Sequence, residues 1–307
     1  MQDLAPEEYE VIVVDDASSD DTPEVVRSFQ ERTKCSVTYI RHTVNQGRSA
    51  TRNDGVLQAR GDIVVMLDND NIAVPDMLRA HLLRHEVAEP EHIAVVGNVR
   101  YSASSINGSN FGRYLQSRYL GSRTHDHRIN PENLSPHHLA GGNSSCRRAD
   151  LIAVGLYSTD IQGYGGEDEL LGYRLQQAGI RMVFAEDARS EHLEDLSIGR
   201  YKRKILEANR GGYLTLMRRI PDFFVGTGAA LLQPMRPRHD STRVLLAKAG
   251  TRLVLNPVTT MMLEMWVRAT DRVSFLYVPW VCRALVGGWS LAGQRSMNAR
   301  RRLVDYV

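Results

Sequence analysis

A chain of 307 residues with 42% hydrophobic side chains can bury a sizeable core, as one large domain or as one domain with an appendage. Its 38 basic and 36 acidic side chains nearly cancel, which gives no compositional ground for nucleic-acid binding. Cys35, Cys146 and Cys282 are odd in number and lack ligand spacing, so neither a disulfide framework nor a zinc site is expected, in keeping with a reducing compartment. MQDLAPEEYE at the N-terminus is acidic and shows no signal-peptide core.

In chain order, Val11 to Val14 read as a parallel strand buried on both faces that ends in the acidic loop DDASSDDT. Thr22-Pro23 then opens a helix with Val25, Val26 and Phe29 facing inward. Val37 to Arg41 is a short strand. NQGRSATRNDGVLQARGD is a glycine turn running into a helix. A second buried strand, Ile63 to Leu67, stops at DNDN. Pro75 opens a helix carrying Met77, Leu78, Leu82 and Leu83, and Ile93 to Val96 is a third buried strand. Strands alternating with helices predict an open, mostly parallel α/β sheet, whose ligands gather at the carboxyl ends of the strands. From Tyr101 to His138 the periodicity dissolves, as in a functional insertion or lid. A helix at Asp150 to Val154, the turn GYGGED with its helix to Gly179, a short strand Arg181 to Ala185, and helix from Ser197 to Arg219 complete the first part.

Two carboxylates one residue apart at a strand end, Asp68 and Asp70, can share a hard cation or divide their work between a cation and a sugar hydroxyl. Asp16, also at a strand end, is expected to touch a ligand, whereas the acids after it solvate the turn. Arg48 and Arg52 open a helix behind a glycine turn, where they suit a phosphate or, for Arg48 equally, a solvated face. Gly163, Gly165 and Gly166 strip side chains from a turn directly before Glu167, Asp168 and Glu169, which lets something approach its backbone.

The strings YEVIVVDDASSDDT, NQGRSATRNDG, GDIVVMLDNDN and GYGGEDELLGYRL, with His192 beyond them, resemble the inverting family 2 glycosyltransferases of the GT-A fold over about residues 9 to 220. That resemblance implies Asp168 as the catalytic base, with Glu167 positioning the acceptor or the base. It implies Asp70 and His192 as ligands of a divalent metal, Mn²⁺ or Mg²⁺, on the donor diphosphate. Asp68 would contact the ribose or donor sugar, Asp16 the uracil or ribose, and Arg52 the phosphate. The implied reaction moves a sugar from a nucleoside diphosphate donor, with a UDP-sugar expected, onto a glycan or lipid-linked acceptor by one inverting displacement.

The family's usual first strand and its following helix have no counterpart here, which predicts an N-terminally incomplete domain over residues 1 to 220. A helical appendage follows from 221 to 307. Its apolar stretches, interrupted by arginines and containing Trp266, Trp280 and Trp289, suit an interfacial helix or a packed subdomain equally. The expected location is cytoplasmic, with peripheral attachment at the inner face of the plasma membrane. Two other readings compete: an inactive binding or scaffold protein, favoured by the absent strand, and a sugar-nucleotide pyrophosphorylase, opposed by the lack of a glycine- and lysine-rich phosphate loop.

Overall fold

The computed structural model describes residues 2–161 and 163–304. In chain order the elements are β1 (Glu10–Asp15), α1 (Thr22–Arg32), β2 (Ser36–Arg41), α2 (Arg48–Gln58), β3 (Ile63–Leu67), β4 (Asn71–Ala73), α3 (Met77–Ala88) and β5 (Ile93–Tyr101). There follow α4 (Ala103–Ile106), α5 (Asn110–Gln116), β6 (Asn143–Arg147), α6 (Arg148–Ala153), α7 (Glu167–Gln177) and β7 (Arg181–His192). The helices α8 (Ile198–Arg210), α9 (Gly212–Arg219), α10 (Thr242–Val254), α11 (Pro257–Thr270) and α12 (Pro279–Val304) complete the chain.

Two compact units emerge. The first holds Met1–Ser102, Arg118–Asp160 and Glu167–Glu194, and the second Ala103–Ser117, Ile161–Gly166 and Asp195–Val307. The division therefore does not follow a single cut at residue 220. Segment 103–117, read from sequence as irregular, contributes two helices to the second unit, and residues 195–220 belong there as well.

In the first unit a five-stranded sheet runs β3-β6-β5-β7-β4, and β1 and β2 pair in a separate two-stranded sheet. Because side chains alternate across a strand, the larger sheet has two cores. Ala94, Val96, Met182 and Phe184 face one, with Val56, Leu171 and Leu175, while Ile93, Val95, Val183 and Ala185 face the other, with Met77 and Ala80. The α/β layering matches the sequence reading, but strand directions are mixed: β1–β2 and β5–β7 are parallel, and β3–β6, β5–β6 and β4–β7 antiparallel. The antiparallel share comes mostly from β6, a polar strand without an apolar run to announce it. β1 differs from expectation too. It pairs with β2 alone, and Val11 to Val14 are only half-buried. On α1, Val26 is buried while Val25 and Phe29 are 58% and 42% exposed.

β7 extends far beyond the five residues expected. It stays paired with β5 through Tyr101↔His192, passing an irregularity at Gly97/Asn98, and so carries His192 on a strand rather than in a loop. On α3 the inward stripe is Met77, Ala80, His81 and His85, and Leu83 is exposed.

The second unit is helical. Phe111 on α5 is fully buried, edge-on to Tyr201 and Trp289 at centroid distances of 5.5 and 6.1 Å. The turn at Gly163 to Gly166 packs here. A Cβ on Gly166 would stand 2.9 Å from the Gly212 carbonyl carbon, and one on Gly212 would overlap the Gly165 oxygen at 1.5 Å. What approaches these glycines is thus the chain's own backbone at the start of α9.

Candidate active site

The acids of the first unit converge on a single guanidinium. Arg52, on the second turn of α2, donates from Nη2 to Asp68 Oδ1 at 2.9 Å and from Nη1 to Asp168 Oδ1 at 3.2 Å. Glu167 Oε1 lies 3.7 Å from the same Nη1, and the Tyr157 ring lies beneath the guanidinium at 5.3 Å. Burial alone would lower the Arg52 pKa, but Asp168, Tyr157 and Asp68 overcome it and hold the group above its ordinary value. Four sequence-predicted residues are thereby brought together, Arg52 and Asp168 from 116 residues apart.

The floor of this cluster is Gly141-Gly142, which the sequence reading passed over. A Cβ on Gly141 would stand 2.5 Å from Arg52 Cζ and 2.8 Å from Asp168 Oδ1, and one on Gly142 would stand 3.1 Å from Asp68 Oδ2. Only a residue without a side chain permits that approach. The signal was present as a glycine pair between the irregular segment and a polar strand.

Glu167 and Asp168 begin α7, and their environments differ. Glu167 is buried, with Oε1 3.6 Å from Arg48 Nη1 and with Oε2 lacking a hydrogen-bond partner. Burial, and then the neighbouring Asp168, push its pKa up. Asp168 keeps 21% of its side chain exposed, so of the two it is the one an incoming molecule can reach.

Asp70 and His192 meet in a second group. Asp70 Oδ2 lies 3.2 Å from His192 Nε2, and Glu194 Oε2 lies 3.9 Å from the same nitrogen. The register Asn71↔His192 between β4 and β7 enforces the pairing, and Tyr101 stacks on the imidazole at 5.2 Å. Tyr119 Oη reaches His192 Nδ1 at 3.2 Å. Among the described residues no group of three or more His, Cys, Asp or Glu is arranged to hold a metal ion. Carboxylate and imidazole are nevertheless the donor types that a borderline divalent cation takes, and a bound diphosphate would supply further oxygens.

Asp16 stands apart from both groups. Its carboxylate accepts from Gln46 N at 2.7 Å and Gly47 N at 2.8 Å and meets His42 Nδ1 at 2.7 Å. These bonds clamp the turn before α2. His42, unassigned from sequence, bridges Asp16 to Asp54 through Nε2 at 2.9 Å. Its pKa is raised by the hydrogen bond to Asp16, against burial, with Asp54 adding to the effect. A raised folded-state pKa gives stability that is complete below the ordinary value of 6.5 and lost as pH rises through the folded value. Thermal unfolding of His42→Gln against the parent is expected to show a melting point lower by roughly 2–4 °C near pH 5.5, a gap that narrows by about pH 9.

Behind Asn71 a buried polar chain crosses the sheet. Asn143 Nδ2 donates to Ala188 O and Ser190 Oγ, which leaves its Oδ1 to accept from His81 Nε2 at 2.8 Å. His81 Nδ1 then accepts from Ser145 Oγ, which in turn accepts from His85 Nε2, each at 2.9 Å. Burial lowers both histidine pKa values to about 4, so the rings are neutral and every donor has one direction. At the other end Ser190 Oγ donates to Asn71 Oδ1 at 3.2 Å, which turns the Asn71 amide nitrogen toward Gly142. This chain fixes the residue that follows Asp70.

The family model described as glycosyl transferase family 2 matches residues 2–155, and one described as the N-terminal domain of galactosyltransferase matches residues 130–202. YfnE of Bacillus subtilis (strain 168), an uncharacterized glycosyltransferase, is 27% identical over 63% of this chain and 59% of its own length. The validoxylamine A glucosyltransferase of Streptomyces hygroscopicus subsp. limoneus is 30% identical over 61% of this chain and 45% of its own. The match thus spans about half the length of these curated relatives. Among solved structures, the mannosyltransferase PcManGT from Pyrobaculum calidifontis superposes with a TM-score of 0.61 at 18% identity, covering 96% of this chain and 79% of its own. S. aureus TarS, residues 1–349, gives 0.52 at 16% identity, covering 98% of this chain and 84% of its own. Both likenesses bear on the fold, which is that of GT-A glycosyltransferases. With the family model matching half of its residues, the chain belongs to glycosyltransferase family 2.

Proposed function

We propose that this chain transfers a sugar from a nucleoside diphosphate donor to an acceptor hydroxyl by one inverting displacement, with Asp168 as the base. The observation that carries the reading is the gathering of Asp68 and Asp168 on Arg52 over the bare floor of Gly141-Gly142. A nucleophilic hydroxyl must lose its proton as it attacks the anomeric carbon, and Asp168 is the accessible carboxylate beside that floor. The new bond joins the acceptor oxygen to that carbon, the bond to the diphosphate oxygen breaks, and the acceptor proton passes to Asp168. Arg52 holds Asp168 and Asp68 in place, and Glu167 backs Asp168 from the buried side.

Asp70 and His192 would hold a divalent cation, which when bound neutralises charge growing on the departing diphosphate. PcManGT, whose structure is a complex with GDP-Man and Mn2+, supports a nucleotide-sugar donor and such a cation. A relative named chondroitin synthase, from Escherichia coli and 26% identical, supports a glycan acceptor. UDP is the nucleotide implied by the family resemblance.

Calorimetric titration with UDP, and with GDP for comparison, tests this without knowledge of the acceptor. UDP is expected to bind only with Mn²⁺ present, and Asp70→Ala to weaken that binding at least about tenfold. Binding of GDP alone would change the nucleotide assigned. Absence of binding by both nucleotides with and without metal would overturn the reading.

A further inference from the structure

Two helices of the second unit, α10 and α11, carry apolar side chains outward. On α11, Val258, Met261, Met262 and Met265 are 60%, 56%, 61% and 63% exposed, and Trp266 is 36% exposed. Their spacing of three and four residues makes a single stripe along the helix. The opposite face buries Thr260, Val267 and Thr270, and beside them Glu264 Oε2 meets Lys202 Nζ at 2.8 Å and Trp289 Nε1 at 3.1 Å. α10 repeats the inversion. Leu246, Leu253 and Val254 are 68%, 77% and 65% exposed, while Lys248 is buried and donates to Asp240 Oδ2 at 2.6 Å and Pro234 O at 3.0 Å. Phe275 and Trp280, in and after the next connection, are 85% and 69% exposed.

A water-facing helix has the reverse pattern, and an apolar stripe of this length requires an apolar partner. Charge selects among partners. Between Ser241 and Trp280 the acids are Glu264 and Asp271 alone, and both are turned inward, Asp271 accepting from Ser109 Oγ at 2.9 Å and Phe111 N at 2.8 Å. Arg243, Arg268 and Arg272 are exposed. A second copy docked on the same face would bring two sets of these cations, and no exposed acid from this stretch, into one interface, because a twofold interface uses the same patch of both copies. An anionic lipid surface accepts both the stripe and the arginines, and tryptophan and phenylalanine suit its interfacial layer. No helix among the described residues is long and apolar enough to cross a membrane.

We propose that the outward faces of α10 and α11 lie in the interface of an anionic bilayer, holding this chain peripherally on its surface. The inference goes beyond the transferase reading and does not depend on it. Its test is sedimentation of the full chain with vesicles of phosphatidylcholine, alone or with about a third phosphatidylglycerol. The parent is expected to pellet with the anionic vesicles. A Met262→Gln, Met265→Gln double variant, which leaves charge and the buried face unchanged, is expected to bind them at least about tenfold more weakly. Circular dichroism confirms that the variant is folded. A parent that stays in the supernatant with both vesicle types, or a folded variant that binds as tightly as the parent, overturns the proposal. So does a parent that sediments as a dimer without lipid and loses that dimer in the double variant, since the occupant is then a second copy.

Discussion

Replacing Asp168 by asparagine is expected to reduce transfer by about 10²- to 10⁴-fold while leaving UDP affinity within about twofold. The amide has the shape of the carboxylate and keeps an oxygen for Arg52 Nη1, which lies 3.2 Å away. What it loses is the ability to take the acceptor's proton, so the effect falls on the chemical step and not on donor binding. Sugar release to water offers a second readout in which no acceptor need be known. Glu167→Gln supplies the control. Glu167 is buried and an incoming molecule does not reach it, so neutralising it is expected to lower turnover by only about tenfold. If Asp168→Asn kept most of its turnover and Glu167→Gln lost it, the roles of the two acids would be exchanged.

The sequence announced the parts of this site that rest on apolar runs and charge. Ile63 to Leu67 forms β3 with the limits expected, and the acids that follow it stand where a strand end presents them. Glu167 and Asp168 open α7 as read. What stayed hidden lies where polar groups do the packing. β6 reads NSSCR, and Asn143, Ser144 and Ser145 are fully buried, because His81 and His85 reach across to hydrogen-bond two of them. A rule that seeks apolar strands misses such a strand, and the same rule points Leu83 inward on α3 in place of the histidines. Gly141 and Gly142 are visible as a pair, but their contacts are with residues distant in sequence, so the pattern does not say what they approach. α5 was missed for another reason: its buried anchor, Phe111, packs on Tyr201 and Trp289, far along the chain. On α10 and α11 the apolar residues were legible, but only the structure shows that they face outward.

Arg52→Met is expected to cost about 2–4 kcal/mol of stability, measured as a shifted urea midpoint. The side chain is only 14% exposed, and its removal takes the shared counter-charge from Asp68 and Asp168 and leaves Glu167 only Arg48, 3.6 Å away. Asp68 keeps 41% of its side chain in water, which holds the cost below that of a fully buried pair. Arg52→Lys is no remedy, since a single ammonium cannot fork between Asp68 and Asp168 as a guanidinium does. The cause can be isolated by repeating Arg52→Met in a chain that also carries Asp68→Asn and Asp168→Asn. With the repulsion already removed, the same change should cost less by about 1–3 kcal/mol. A cost equal in both backgrounds to within about 0.5 kcal/mol would mean that Arg52 acts through its packing on Tyr157 and not through the acids. Coupling of the predicted size would instead tie stability and catalysis to one group. The cation that keeps three carboxylates together is then also the one that orients Asp168 toward the acceptor, and Gly141 is bare because Arg52 occupies the space a side chain would need.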